Sequence, residues 1–305
     1  MDIQLTDYKG HTWHLAGAQE GDEGVTLHKI SGTDGKLSDH PVPTTQHFPT
    51  HTYDTATPEP ITPTLTVSIT HTTELTTETT IRRFLDGLDF YKPAILTFHQ
   101  PRQPELQLFV HLESPIGLPE ETAPTDTTTL EIHLTAQDGR YFGPEHTSTG
   151  ITTIENTGQL PLWPTIHWKG LTARITEDKN GPIILPPALG TTGLIYHTNP
   201  DTGGLITDTH GYPNHNAWAT LRGIAWTRPI MPGDATTIDC HKCHIHWRNQ
   251  YLQPWAQTGG IVSNARTSNN SNGRTWATAS GRPHAIRPVS YTHLTLPTSG
   301  LVSIS

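Results

Sequence analysis

Apolar and polar residues alternate with a period of two in several short segments of the chain. The clearest of them are Leu65-Val67-Ile69, Leu106-Leu108-Val110-Leu112, Leu130-Ile132-Leu134 and Cys243-Ile245-Trp247. Successive side chains of a strand point to opposite faces, so each segment predicts a β-strand with one buried face. Clusters of Gly, Pro, Asn and Asp separate the segments, and we therefore predict a mainly β fold.

One segment, residues 77–88, carries a helical pattern instead. Ile81, Phe84, Leu85 and Leu88 recur at i, i+3, i+4 and i+7, a spacing that places them on one face of a helix. We predict a single helix here, with this apolar face buried against an N-terminal sheet.

Two Pro- and Thr-rich stretches, residues 40–63 and 114–129, interrupt the pattern and are predicted to be loops. A chain of 305 residues is long enough for two cores. Because a new alternating strand follows the second stretch, we place an N-terminal domain at residues 1–128 and a second β domain at 129–255. Residues 256–305 turn to Gly, Ser, Asn, Thr and Arg, a composition that predicts a disordered tail.

Charge and hydropathy exclude several classes of partner. The net charge is -9, and charged residues make up only 15% of the chain, so we expect no cationic surface for nucleic acid. No stretch approaches the roughly 20 apolar residues that a membrane span needs, and the first ten residues hold no apolar run. We therefore expect no membrane partner, no secretory leader and synthesis in a cytoplasm.

The sharpest local motif is CxxCH at residues 240–244. Three interpretations stay open: a structural hairpin, a metal site built from Cys240, Cys243, His244 and His246, and covalent haem attachment. The hairpin is favoured, with a two-residue turn at 241–242 that would bring the two cysteine Cα atoms to about 5.5 Å. Because a cytoplasm keeps thiols reduced, free thiols are expected.

Alternation along this strand separates the motif's side chains. Cys243 and Ile245 should point into a core, whereas His244 and His246 should share the opposite face about 7 Å apart. At that spacing two imidazoles could hold an exposed metal ion, and the pattern leaves metal binding undecided.

No known catalytic motif is present in the chain: H-E-x-x-H, G-x-S-x-G, the P-loop and G-x-G-x-x-G are all missing. We therefore predict that the protein is not an enzyme and has no catalytic or cofactor-binding residues and no cofactor. We assign no metal-binding residues, and metal binding at residues 240–246 stays open. Tryptophans concentrate in the second half, where they either fill a sandwich core or stack on sugar rings. They are Trp163, Trp168, Trp218, Trp226, Trp247 and Trp255.

Three stretches together resemble one family, the distal tail or minor tail proteins of long-tailed (siphovirus) phages, especially those infecting actinobacteria. Residues 154–170 are similar to that family's Asn-x-Gly turn and Pro-flanked strand. Residues 194–223 resemble its hairpin that returns through a Trp and a Leu to the sheet. Residues 228–255 look like its Pro-Gly turn and closing strand.

The resemblance covers residues 1–255 and implies a β-rich N-terminal domain with one helix that builds a hexameric ring, followed by a galectin-like β-sandwich. It implies a structural virion protein of the tail tip or baseplate, assembled in the host bacterial cytoplasm, that connects the tail tube to the host-recognition apparatus. The implied partners are further copies of the chain, the tail tube protein, the tape-measure protein and tail-tip or tail-associated proteins.

Two rival hypotheses remain. One is a carbohydrate-binding module that recognises host cell-wall glycan, and the other is a metal- or haem-dependent enzyme using residues 240–244. The chain also departs from the family twice, because the family lacks the CxxCH motif and usually stops near residue 255. The run VSYTHLTLPT (289–298) resembles translated sequencing-adapter read-through. Two interpretations of residues 289–305 therefore stay open, an artefact, which is favoured, and the end of a genuine disordered tail.

Overall fold

The computed structural model describes residues 1–38, 57–117, 126–177, 181–189, 192–199, 202–221, 226 and 228–255. These residues belong to one compact unit, Met1–Val262. The predicted tail, residues 256–305, lies outside the described residues, as does its final segment with the predicted artefact.

The fold is mainly β, as predicted. The strands of the first half are β1 Asp2–Thr6, β2 Thr12–Ala16, β3 Val25–Ser31, β4 Leu37–Ser38, β5 Thr57–Pro58, β6 Thr64–Thr70, β7 Ala94–His99, β8 Leu106–Leu112 and β9 Thr127–Thr135. Those of the second half are β10 Tyr141–Glu155, β11 Thr165–Trp168, β12 Ala173–Glu177, β13 Gly181–Leu185, β14 Leu194–His197, β15 Ile206–Asp208 and β16 Ala235–Tyr251. The helices in the described part of the chain are α1 Thr77–Leu85 and α2 His215–Thr220.

The alternating segments form antiparallel strands with one buried face. β6 lies between β3 and β9, and β7 lies between β1 and β8. Leu65, Val67 and Ile69 of β6 are all buried in a hydrophobic cluster with the matching positions of β8 and β9. The period-two pattern therefore identified the interior of the first half correctly.

Helix α1 packs against this cluster. The Thr76 hydroxyl accepts a hydrogen bond from the Thr79 backbone N–H at 3.3 Å, which caps the first turn. Ile81 and Phe84 are buried, as predicted, and Leu85 is partly buried. The helix ends at Leu85, three residues before the predicted end.

α1 is the helix predicted for the N-terminal part, and α2 is an additional short helix in the second half that the sequence analysis did not identify. The Asn214 side chain caps it by accepting a hydrogen bond from the Ala217 N–H at 3.0 Å. The helix has six residues, of which only Ala217 is buried. A segment this short with one buried position shows no apolar period in the sequence.

Two long strands of the second half, β10 and β16, pair with each other and contribute residues to two hydrophobic clusters. Tyr141 lies opposite Tyr251 in the first hydrophobic cluster, whereas Ile154 and Ile238 belong to a second cluster. Because Tyr141 belongs to the first cluster, that cluster extends beyond the predicted domain boundary at 128/129. The division into two domains stays a prediction.

Arg248 links the ribbon formed by β10 and β16 to β8. Its guanidinium donates to the Gly143 carbonyl at 2.8 Å and to the Gln107 side-chain oxygen at 2.7 Å, and it lies over the Phe142 ring. No helix in the described ranges is both long and apolar enough to span a membrane.

Candidate functional site

The CxxCH motif lies within one continuous strand, β16, so the predicted hairpin turn was wrong. Ile245 lies opposite Ser148 and Cys240 opposite Gly150, so β16 advances five positions while β10 advances two. The extra residues form a bulge, in which Lys242 adopts the left-handed region with φ 58°. On its other edge β16 stays paired, with His241 opposite Arg174 of β12 and Cys243 opposite Trp168 of β11.

Cys240 and Cys243 form a disulfide across the bulge, so the expectation of free thiols was also wrong. Their Cα atoms lie 5.4 Å apart, which is within the range that a disulfide spans. Both residues are buried in the second hydrophobic cluster. Cysteine binds a metal ion or attaches to haem through its free thiol or thiolate. In the disulfide, Cys240 and Cys243 therefore provide no sulfur ligand for a metal ion and no thiol for haem attachment.

The predicted division of the strand into two faces is correct. Cys243 and Ile245 are buried, and His244 is exposed on the other face. His246 is half-buried because its ring stacks on that of His167, with the centroids 3.8 Å apart. Its Nδ1 donates a hydrogen bond to Glu145 at 2.9 Å, and this bond lowers the pKa of the Glu145 carboxyl.

His167, on the neighbouring strand β11, is the centre of a histidine-rich sheet face. It lies directly opposite His244. Burial, followed by the nearby His246, lowers the pKa of His167 to about 4. Burial also lowers the pKa of His197 on β14. At neutral pH both rings are therefore neutral, and each offers one hydrogen-bond donor and one acceptor.

The sequence analysis did not single out His167, His197 or Glu145. Their only sequence signal is that His167 and His197 occupy polar positions in short alternating strands. In the described ranges no three His, Cys, Asp or Glu side chains converge in a way that could hold a metal ion. The sequence analysis considered a metal ion held by His244 and His246. In the structure, the His246 ring instead contacts His167 and Glu145.

An open cleft lies beside the disulfide bulge, with a volume of about 660 Å³. His167 and His244 line it from the sheet and Lys242 from the bulge, and Thr192 and Thr209 also line it.

A second open cleft, of about 610 Å³, shares Thr192 with the first. Its walls include Asp208, His210, Tyr212 and Asn216. The two clefts therefore share a wall residue, and hydroxyl, imidazole and carboxylate groups line them.

The fold built by these elements is shared with a phage protein of known structure. The chain is similar to the crystal structure of the SPP1 Dit protein, with a TM-score of 0.52 and 14% identity over 82% of this chain and 99% of that one. The chain has the fold of the SPP1 Dit protein. That protein is described as a paradigm of the hub adsorption apparatus in phages that infect Gram-positive bacteria.

The chain is also similar to proteins in two structures of the phage P2 baseplate in its activated conformation, one with Ca and one with Sr. Each has a TM-score of 0.46 and 10% identity over 81% of this chain and 97% of that one. No protein-family model matches the chain, and no curated protein matches it in sequence.

Within this Dit fold, most tryptophans of the second half are core residues. Trp168 and Trp226 are buried, and Trp163 and Trp247 pack against the second cluster. Trp218 is more exposed, but its indole N–H donates to the Gly203 carbonyl at 3.1 Å. Stacking of sugars on a row of tryptophans therefore has little support, and the exposed aromatic ring at the clefts is that of a tyrosine.

Proposed function

We propose that the protein is a structural hub protein at the distal end of a phage tail, located in the virion. The observation that carries the proposal is the shared fold with the SPP1 Dit protein, which extends over 99% of that chain. The family resemblance of residues 154–170, 194–223 and 228–255 supports it independently, because these stretches occur in the expected order.

In this role six copies form a ring through their N-terminal β domains, and a galectin-like sandwich lies at the periphery of each copy. The ring joins the tail tube and tape-measure proteins to the tail-tip proteins. It acts by binding, with no catalysis of its own.

An exposed aromatic loop supports an interface in the N-terminal part. Tyr91 is 91% exposed and Phe90 is 46% exposed. The Asp89 carboxylate accepts hydrogen bonds from the backbone N–H groups of Tyr91 and Lys92 at 2.7 and 3.0 Å, which fixes the loop. Large aromatic side chains held on a rigid surface are enriched at protein interfaces.

Localisation in the virion tests this function. Gold-labelled antibodies against the full chain should mark only the distal end of the tail in particles from cells that carry the gene. The neighbouring reading frames should encode tail tube and tape-measure proteins. Labelling of the capsid, or absence of the protein from purified particles, would contradict the proposal.

A further inference from the structure

The two clefts share the wall residue Thr192, and together we call them the threonine groove. Thr192 lines both clefts, and its hydroxyl group hydrogen-bonds to that of Thr209, which lines the first cleft. The clefts measure about 660 and 610 Å³. Each is the size of a small-ligand site, so the two together offer room for more than one ring.

The first cleft offers hydrogen bonds without a strong charge. His167 is neutral at neutral pH, because its pKa is about 4, and His244 lies opposite it on β16. Thr149 and Thr192 add hydroxyl groups. The carbon faces of these imidazoles and threonines are apolar, so the surface presents both hydrogen-bonding and apolar atoms.

The second cleft adds an exposed aromatic ring on a fixed loop. Tyr212 is 72% exposed. The Asp208 carboxylate accepts hydrogen bonds from the backbone N–H groups of His210 and Tyr212 at 2.8 and 2.9 Å. The loop is thus held in place, and its tyrosine ring is available for stacking.

Charge and shape together indicate the ligand. The groove is lined by two lysines, Lys169 and Lys242, and two aspartates, Asp208 and Asp239, so it favours neither an anionic nor a cationic polymer. An extended chain of neutral rings that carry hydroxyl groups and apolar C–H faces matches all of these features.

We propose that the threonine groove binds a neutral polysaccharide, with Tyr212 stacking on one sugar ring and His167 and His244 hydrogen-bonding to another. The proposal does not depend on the hub function, because it rests on the groove alone. It replaces the tryptophan contacts considered from the sequence with histidine, threonine and tyrosine contacts.

The test is calorimetric titration of the full chain with neutral oligosaccharides of glucose, galactose, rhamnose and N-acetylglucosamine, from one to six units long. Affinity should rise with length up to about four units, since a single sugar occupies only one cleft. Tyr212→Ala and His244→Ala should each weaken binding about tenfold or more.

Two controls match these variants. Tyr212→Phe keeps the stacking ring and should stay within about twofold of the original affinity. His133→Ala removes an exposed histidine of β9, away from the groove, and should bind like the unaltered protein. Because Tyr212 and His244 are both exposed, their variants should keep the original melting temperature. Measuring that temperature before titration separates loss of the fold from loss of binding.

Three results would overturn the proposal. The first is the absence of binding by every neutral oligosaccharide at millimolar concentration. The second is binding that Tyr212→Ala leaves unchanged. The third is binding restricted to anionic polymers and abolished by salt, which would indicate non-specific attraction to the lysines.

Discussion

Phe84 is the residue of α1 on which the packing of that helix depends most. Its ring is fully buried and meets the Trp13 ring edge to face, with the centroids 5.2 Å apart. Phe84→Ala should lower the free energy of unfolding by about 3 to 5 kcal/mol through lost burial and the cavity left behind. Urea denaturation measures this change. The control, Arg82→Ala on the exposed face, removes only the surface pair with Glu78 and should change stability by less than about 1 kcal/mol.

His167 makes stability depend on pH in a defined window. Its pKa in the folded protein, about 4, lies below the ordinary value of 6.5, so between these values the unfolded chain binds more protons. Stability should therefore fall as the pH decreases from about 6.5 to about 4. The groups that act on His167 are His246, Glu145, His197 and His244.

Because His167 is only half-buried, solvent screening reduces its contribution to on the order of 1 kcal/mol. His167→Gln should flatten the pH dependence of the urea midpoint in this window. Thr176→Val, on β12, which pairs with β13 and β16 and not with β11, is the control for altered packing and should keep the original slope. An unchanged slope in His167→Gln would contradict the assignment.

At the scale of elements, the bulge of β16 depends on its disulfide. Closing so short a loop restricts the unfolded chain, and the loop entropy corresponds to about 2 kcal/mol. Reductant should therefore lower the free energy of unfolding of the unaltered protein by about that amount. The double variant Cys240→Ser, Cys243→Ser should not respond to reductant. An equal response of both proteins would show that the reductant acts elsewhere.

The elements that the sequence predicted are those whose signal is local. Alternation in β6, β8 and β9 marks their buried faces, and the apolar period of α1 marks its packed side. The bulge of β16 escaped prediction because it arises from pairing with β10, about 90 residues earlier in the chain.

The disulfide and the histidine face depend on the same long-range register. Cys240 and Cys243 approach each other because of the bulge, and CxxC alone is equally compatible with a turn. His167 meets His244 and His246 only when β11 pairs with β16. Without that pairing, the four histidines of the face are unrelated positions in the sequence.

At the scale of the whole molecule, β10 and β16 connect the interiors of both halves. Tyr141 and Tyr251 belong to the first cluster, and the other ends of the same strands belong to the second. A ring built by the first half would therefore hold the second half, with its groove, through this ribbon. Such a ring would carry the binding surfaces of every copy. The proposed hub function therefore depends on self-assembly of the chain.

The mass of the full chain in solution tests the hub account most directly. Light scattering coupled to size exclusion should show association that grows with concentration toward about 200 kDa, the mass of six 33.6 kDa chains. Replacing the exposed Tyr91 by Asp should shift the association to higher concentration without lowering the melting temperature. A mass of one chain at every concentration, together with no ring particles in electron micrographs, would contradict the account.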